Sequence, residues 1–137
     1  MDGYNSSTRR AVAGTLTNNE GELVATGGAN SGEHNGLVII NDAYPGTCNG
    51  YACTLIVAEA DPGDTAAVEG DSGGPVYHTR SDGRVDAKGI ILQGAQQLAQ
   101  SNCAPEKYPG NACYNRVRYQ PIRPLLSVWN VSIETHS

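Results

Sequence analysis

One six-residue stretch, residues 70–75, constrains this 137-residue chain more than any other feature. It reads Gly-Asp-Ser-Gly-Gly-Pro, and with average residue usage such a hexapeptide arises by chance in roughly one chain of this length in 10^5. A serine nucleophile needs an exposed hydroxyl on a sharp, glycine-rich turn, with backbone N–H groups directed at the oxyanion that forms. The stretch therefore predicts Ser72 as a nucleophile, with the N–H groups of Gly70 and Ser72 as oxyanion donors. The competing interpretation is a surface turn without chemistry, since Gly, Asp and Ser are all common in turns.

The other residues of the stretch have structural roles in this prediction. Gly73 and Gly74 lack a Cβ, which permits unusual backbone dihedral angles and the close approach of another backbone. Pro75 leads into an apolar strand. Asp71 stands next to the nucleophile and, if it is buried, is expected to need a cationic partner, because an unpaired buried carboxylate is costly.

The composition favours one small all-β domain. The chain has 39% hydrophobic residues and no phenylalanine, with 17 Gly and 7 Pro, a mixture typical of short strands joined by turns. The net charge is −5 and the densest basic run is Arg9-Arg10, so no nucleic-acid surface is predicted. No apolar run has the length of a membrane span, so no membrane contact is predicted. Residues 1–4 lack the apolar core of a signal peptide, and we expect either a removed export signal or a longer parent chain.

The four cysteines predict two disulfides and an oxidising, extracellular compartment. An even number of cysteines in a small chain with few charges and many glycines is typical of secreted proteins. Of the three possible connectivities, the local one is predicted, Cys48–Cys53 with Cys103–Cys113. Zinc binding is the alternative, although the second spacing is too wide for a zinc knuckle and no histidine flanks either pair.

The pattern of apolar and turn residues predicts six or seven short strands and almost no helix. They are residues 11–16, 22–26, 36–41, 54–58, 74–79, 87–94 and 114–119. The first two are expected to form a hairpin around the turn at residues 18–21, followed by a long irregular loop at residues 27–36. A short helix is expected at residues 121–129, because proline is tolerated near a helix start. Many short strands joined by turns indicate an antiparallel barrel or sandwich.

The stretch at residues 70–75 is the nucleophile motif of chymotrypsin-like serine proteases, and other parts of the chain resemble the same family. Residues 88–94 resemble the strand that pairs with the substrate backbone. Tyr108-Pro109-Gly110, followed by Arg116-Val117, resembles the family's Tyr-Pro-Gly and final-strand pattern. Residues 27–32 and 128–133 are similar to a glycine-rich loop and to the C-terminal ending of secreted actinobacterial members. The resemblance covers about residues 9–133.

The resemblance implies half of a protease. The family fold has two six-stranded barrels, of which the first carries the general-base histidine and its orienting aspartate, and the second carries the serine and the oxyanion hole. This chain resembles the second barrel alone, since nothing in it is similar to the Ala-Ala-His-Cys motif of the first. The implied fold is a single six-stranded antiparallel Greek-key β-barrel over residues 9–137, with a short C-terminal helix and a flexible segment at residues 1–8.

None of the three histidines is predicted to act as the general base. His78 lies six residues after Ser72, which on an extended strand is about 20 Å, too far for proton transfer. His34 lies in a polar loop that could fold near Ser72, but a general base also needs hydrogen-bond reach and an orienting carboxylate. His136 lies in the C-terminal tail.

Two positions depart from the family pattern. Thr26 stands where bacterial relatives often have an arginine that pairs with the aspartate of the motif, so the resemblance identifies no partner for Asp71. Ala66 stands where trypsin-like members hold an acid in the substrate-specificity pocket. Ala66 is therefore a candidate substrate-binding position without strict specificity for Lys or Arg.

The implied function is that of the C-terminal half of a secreted serine endopeptidase acting on peptides or proteins. Ser72 would attack the peptide carbonyl, and Leu92, Gln93 and Gly94 would hold the substrate as an added strand. The histidine and aspartate would come from an N-terminal barrel, or from another chain covering the same face, and no metal or cofactor is predicted. The chain by itself is expected to have negligible peptidase activity. The alternative is a degenerate protease domain that serves as an inactive binding or adaptor module.

Overall fold

Eight β-strands make up the regular structure of the described chain. The structure is a computed structural model that describes residues 12–15, 17–48, 50–99, 103 and 112–122. The strands are β1 (Val12–Thr15), β2 (Leu23–Gly28), β3 (Gly32–Cys48), β4 (Tyr51–Glu59), β5 (Ala67–Val68), β6 (Pro75–Thr79), β7 (Val85–Gln97) and β8 (Cys113–Pro121). The predicted short helix lies outside the described residues except for its first two positions, and Pro121 still belongs to β8. Residues 1–8 also lie outside them.

Six of these strands pair in a ring. Around it, β2 pairs with β3, β3 with β4, β4 with β8, β8 with β7, β7 with β6, and β6 with β2. All six pairings are antiparallel, while the short strands β1 and β5 attach to β7 and β8 from outside the ring. The predicted all-β, six-stranded antiparallel barrel is confirmed.

The core fills the ring with aliphatic side chains because alternate residues of a strand point to opposite faces. In β8 the buried residues are Cys113, Asn115, Val117 and Tyr119, and the residues between them are only partly buried. Aliphatic residues from five other strands complete the interior, including Val24, Leu37, Ile39, Ile56, Val76 and Ile91. Without phenylalanine, the largest fully buried side chains are Tyr77 and Tyr119.

The predicted hairpin between the first two strands is wrong. Strand β1 runs parallel to β7, with Val12 opposite Val85, and does not pair with β2. The expected turn residues bind the neighbouring strand instead, since the Gly21 N–H donates to the Ile39 carbonyl (2.8 Å) and the Ile39 N–H donates to the Glu22 carbonyl (2.9 Å). These bonds lay the segment before β2 along the barrel wall.

The predicted irregular loop at residues 27–36 is also wrong. Strands β2 and β3 remain paired up to Gly28 opposite Gly32, so the expected loop is a tight turn at residues 29–31 that ends a long hairpin. The turn is fixed from outside the hairpin, because the N–H groups of Asn30 and Ser31 both donate to the side chain of Asp71. A contact across about 40 positions of sequence decided this local structure.

Both predicted disulfides are present. Cys48–Cys53 joins β3 to β4 beside the tight turn between them, and Cys103–Cys113 ties the segment after β7 to the start of β8. The described residues contain no free cysteine. Two disulfides are compatible with an extracellular protein.

A buried lysine connects β7 to the segment before β2. Lys88 is 1% exposed, and its Nζ donates to the Thr17 carbonyl (2.7 Å) and to Glu22 Oε1 (3.1 Å). Asn18 continues the network, donating to the Lys88 carbonyl (3.2 Å) and accepting from the Tyr119 hydroxyl (2.6 Å). The network binds the segment before β2 to the barrel. Among the described residues, no helix is long and apolar enough to cross a membrane.

Candidate active site

Two consecutive β-turns between β5 and β6 carry Ser72. In the first, over residues 68–71, the Asp71 N–H donates to the Val68 carbonyl (3.0 Å), and in the second, over residues 71–74, the Gly74 N–H donates to the Asp71 carbonyl (3.0 Å). The third residue of each turn is a glycine with positive φ, Gly70 at 96° and Gly73 at 87°. A type II turn has positive φ at its third residue, whereas a type I turn has negative φ there. The two turns are therefore of type II and depend on glycine.

The two N–H groups predicted to form the oxyanion hole point away from the rest of the protein. A trans peptide holds its C=O and N–H in opposite directions. The Glu69 carbonyl accepts from Asn30 Nδ2 (2.8 Å) and the Asp71 carbonyl accepts from the Gly74 N–H, which turns the Gly70 and Ser72 N–H groups the other way. Within the described part of the chain, neither N–H has an acceptor of its own. Both residues are exposed, so both donors are available to a ligand.

Asp71 is almost fully buried, at 1% exposure, and uncharged donors surround it. Its Oδ1 accepts from the N–H groups of Asn30 (2.9 Å) and Ser31 (3.0 Å), and its Oδ2 accepts from the Val68 N–H (2.9 Å) and the Ser31 hydroxyl. The expected cationic partner is therefore replaced by four hydrogen bonds. Bonds from neutral donors to a carboxylate are strong enough to compensate its desolvation. They fix the turn that precedes Ser72.

His34 extends this network away from Ser72. Its Nε2 lies 2.8 Å from Ser31 Oγ. Because the Ser31 hydroxyl proton is donated to Asp71, the ring donates its Nε2–H to Ser31. Burial lowers the pKa of His34 below its usual value and outweighs the opposite effect of the Asp71 and Glu33 charges, so the ring is neutral near pH 7. The Nε2 of His34 is thus engaged with Ser31 and not with Ser72.

Ser72 lies against strand β7. The Gly73 N–H donates to the Ile91 carbonyl and the Ile91 N–H donates to the Gly74 carbonyl, both at 2.8 Å. Among the described residues, the only hydrogen-bond partner of the Ser72 side chain is the Leu92 carbonyl, which accepts from Ser72 Oγ at 3.2 Å. The pairing of β7 with β8 is shifted between Ile91 and Gln93. This irregularity brings Leu92 to Ser72.

One edge of the strand segment at residues 92–97 pairs with β8, from Gln93 opposite Arg118 to Gln97 opposite Tyr114. Strand β6 stops pairing at Pro75 opposite Ile90, and no described strand pairs with the other edge beyond that point. Leu92, whose carbonyl accepts from Ser72 Oγ, begins this segment, and Gln93 and Gly94 continue it. Among the described residues, this edge is therefore open to an added strand.

The predicted substrate position Ala66 is fully buried in this structure. Its N–H donates to the Tyr114 carbonyl (2.7 Å), and its carbonyl accepts from Thr26 Oγ1 (3.1 Å). A substrate-binding role for Ala66 stays a prediction. The Nδ1 of His78 lies 3.2 Å from the Leu23 carbonyl oxygen, and His136 lies outside the described residues.

The sequence pattern did not identify Asn30 and Ser31 as part of the site. An Asn-Ser pair between glycines is a common turn signal, and that signal was present at residues 28–32. It names no distant acceptor, so the contact of these residues with Asp71 becomes visible only in the fold. Among the described residues no group of His, Cys, Asp and Glu side chains is arranged to hold a metal ion.

The third glycine of residues 70–75, Gly74, is required for a different reason from Gly70 and Gly73. A Cβ on Gly74 would lie 2.5 Å from the Gly27 carbonyl oxygen and 3.0 Å from the Asp71 carbonyl oxygen. Both are backbone atoms that cannot move independently. The turn of the β2–β3 hairpin thus packs directly against the backbone after Ser72.

We expect Gly74→Ala to lower the free energy of unfolding by about 3 kcal/mol, because the added methyl group forces two backbones apart. Gly63→Ala is the comparison variant, since Gly63 also lies in a loop but has open space around its Cβ. Unlike Gly74, Gly63 has a positive φ (82°). Gly63→Ala should cost only about 1 kcal/mol, from the unfavourable φ alone. Urea denaturation followed by circular dichroism measures both, and equal losses would contradict the proposed close packing.

Comparison with known proteins places this geometry in a known fold. No protein-family model matches the sequence, and no curated protein matches it. Solved structures do match. Protease A of Thermobifida fusca has a TM-score of 0.67 and 26% sequence identity, over 98% of this chain and 60% of that one. The chymotrypsin of Cellulomonas bogoriensis has a TM-score of 0.61 and 22% identity, over 96% and 59%. A Nocardiopsis protease has a TM-score of 0.67 and 21% identity, over 98% and 59%.

The chain therefore spans about 60% of the length of each of these proteins. Its fold is that of the C-terminal barrel of actinobacterial chymotrypsin-like serine proteases, as the sequence resemblance implied. At these levels of identity the likeness establishes the fold, and the role of each residue rests on the geometry of the site.

Proposed function

We propose that this chain, with the fold of a chymotrypsin-like C-terminal barrel, supplies the nucleophile and the oxyanion hole of a secreted serine endopeptidase. One observation carries the proposal: Ser72 stands exposed beside two N–H groups, those of Gly70 and Ser72 itself, which have no acceptor among the described residues and are held in place by type II turns. A surface turn without chemistry does not require both amide groups to be oriented outward beside a hydroxyl.

The substrate would add to β7 as an extra antiparallel strand along residues 92–97. Main-chain hydrogen bonds to this open edge provide affinity without specifying sequence, and they would place a peptide carbonyl next to Ser72. The Leu92 carbonyl, which accepts the Ser72 hydroxyl in the free chain, would be released when a base takes over that proton.

Acyl transfer would then proceed in two steps. Ser72 Oγ forms a bond to the carbonyl carbon and gives its proton to a histidine of a second barrel, while the Gly70 and Ser72 N–H groups bind the oxyanion. The histidine returns the proton to the leaving amine as the C–N bond breaks. Water then attacks the acyl-serine by the same route, which releases the acid and restores the hydroxyl. The second barrel, on the same or another chain, would cover this face.

A fluorophosphonate tests the proposal, because it modifies a serine that a base has activated much faster than an ordinary serine. We expect slow, unselective modification of the isolated chain. We expect fast, stoichiometric modification of Ser72 when the chain is joined to the N-terminal barrel of Thermobifida fusca Protease A. Ser72→Ala should abolish labelling, and Ser81→Ala, which removes an exposed turn serine, should retain it.

Two results would contradict the proposal. Rapid labelling of the isolated chain would mean that this chain supplies its own base. A folded fusion that is neither labelled nor able to cleave peptide esters would favour the alternative, an inactive barrel used as a binding module.

A further inference from the structure

Asn30 is buried at the tip of the β2–β3 hairpin, where its side chain reaches the Ser72 loop. It is 1% exposed, and its Nδ2 donates to the Glu69 carbonyl at 2.8 Å. Its backbone N–H donates separately to Asp71. The two contacts are chemically independent, so a side-chain substitution removes the first and retains the second.

The Glu69 carbonyl belongs to the one peptide group that distinguishes the two common turn types. Type I and type II turns have the same end residues and the same closing hydrogen bond, and they differ by a rotation of about 180° of the central peptide. In the turn at residues 68–71 the central peptide joins Glu69 to Gly70. Rotating it exchanges the directions of the Glu69 carbonyl and the Gly70 N–H.

The other contacts of this turn do not select between the two orientations. Two hydrogen bonds hold the ends of the turn. The Asp71 N–H donates to the Val68 carbonyl, and the Val68 N–H donates to Asp71 Oδ2. The Glu69 N–H, which donates to the Ala112 carbonyl (2.9 Å), belongs to the preceding peptide. Gly70 accepts positive and negative φ almost equally. Among the described residues, only Asn30 Nδ2 binds the central peptide.

We propose that Asn30 is a positioning residue for the oxyanion hole: by holding the Glu69 carbonyl inward, it directs the Gly70 N–H outward beside Ser72. The catalytic consequence rests on the proposed function, while the control of the peptide orientation does not. Without the Asn30 amide, the Glu69 carbonyl is free to rotate toward the site, where an acceptor in place of a donor repels an oxyanion.

Solution NMR of the isolated chain tests the peptide orientation directly. In Asn30→Ala we expect the residual dipolar coupling of the Gly70 N–H to change, together with its three-bond HN–Hα couplings, as the positive φ is lost. The N–H couplings of Val68 and Asp71 should stay the same, because the ends of the turn remain bonded. Asn30→Asp, which puts a second acceptor against the carbonyl, should cause the larger change, and if it does not fold, Asn30→Ala is decisive.

Asn35→Ala is the matched control. Asn35 lies in the same hairpin and its Nδ2 also donates a hydrogen bond, to Glu33 Oε1 (3.2 Å), but the residue is exposed. The Gly70 couplings should not change in this variant. Unchanged Gly70 couplings in folded Asn30→Ala would overturn the proposal.

The fusion with the N-terminal barrel provides a second measurement. Loss of one oxyanion donor lowers kcat on the order of 10^2-fold, and since the donor acts on the transition state, KM should change little. Equal kcat in Asn30→Ala and the parent fusion would overturn the catalytic part of the proposal. If the parent fusion is inactive but the Gly70 N–H still reorients in Asn30→Ala, the proposed function fails while the role of Asn30 in setting the peptide orientation is supported.

Discussion

Asp71→Ala should lower the free energy of unfolding by more than about 4 kcal/mol. The substitution removes the acceptor of four hydrogen bonds. The N–H groups of Asn30, Ser31 and Val68 then stay buried but no longer have this acceptor. Each unsatisfied buried donor costs about 1–3 kcal/mol. A domain of this size is usually stable by only 5–15 kcal/mol, so the variant is expected to be close to unfolding at room temperature.

Chemical denaturation of three variants distinguishes the stability lost with the hydrogen-bond acceptor from the stability lost with the side-chain volume. Asp71→Asn keeps the shape but replaces one oxygen with a donor, so it should cost about 2 kcal/mol. Asp64→Ala removes an exposed carboxylate that makes no side-chain hydrogen bond in the described structure, and it should stay within about 0.5 kcal/mol of the parent. If Asp71→Ala is as stable as Asp64→Ala, the carboxylate does not hold the two turns together.

Lys88→Ala should be the second most destabilising of these substitutions, with a loss of about 3 kcal/mol. Its four-carbon stem is fully buried, so truncation leaves a cavity, and the Thr17 carbonyl loses the ammonium group that it binds. Lys88→Met, which retains most of the apolar stem, should cost less. Thermal unfolding followed by circular dichroism gives the order of the variants.

The ion pair itself should contribute little, because Glu22 is 40% exposed and water screens the interaction. Glu22→Gln is therefore expected to cost less than about 1 kcal/mol. A loss as large as that of Lys88→Ala would show that the charge pair dominates over packing and would contradict this account.

The pH dependence of stability provides an independent check on the same contact. Burial by itself raises the pKa of Glu22, but hydrogen bonds from Asn19 and Lys88 outweigh it and hold the pKa below its usual value. A carboxylate with a lowered folded-state pKa stabilises the protein above its unfolded-state pKa of about 4.3, and this contribution is lost as the pH falls through the folded-state value. Lys88→Met should make stability less dependent on pH between about 4.5 and 3.

Much of the barrel could be predicted from the sequence because its signals are local. Alternating apolar residues identified the central parts of β3, β4, β6, β7 and β8, and turn residues identified most of the ends. The local cysteine spacings favoured the two disulfides that the structure contains. Strand β5 has only two residues, Ala67 and Val68, and so short a segment has no periodicity to recognise.

The errors occurred where a distant contact replaced the local preference. The turn at residues 18–21 suggested a hairpin, but bonds to Ile39 direct that segment along β3. The glycine-rich residues 27–36 suggested an irregular loop, but Asp71 holds a tight turn there. In both cases the deciding partner lies far away in the sequence, where no pattern of neighbouring residues can indicate it.

The sequence by itself determined that Ser72 lies in a sharp, glycine-rich turn, because glycine permits backbone conformations that other residues rarely adopt. Only the tertiary structure decided what holds that turn. The acceptor is Asp71, and three of its four donors belong to a hairpin about 40 residues earlier. The Glu69 carbonyl is bound by Asn30 from the same hairpin. The reason is physical: a dihedral preference is local to one residue, whereas the direction of a peptide group depends on whichever partner the fold brings to it.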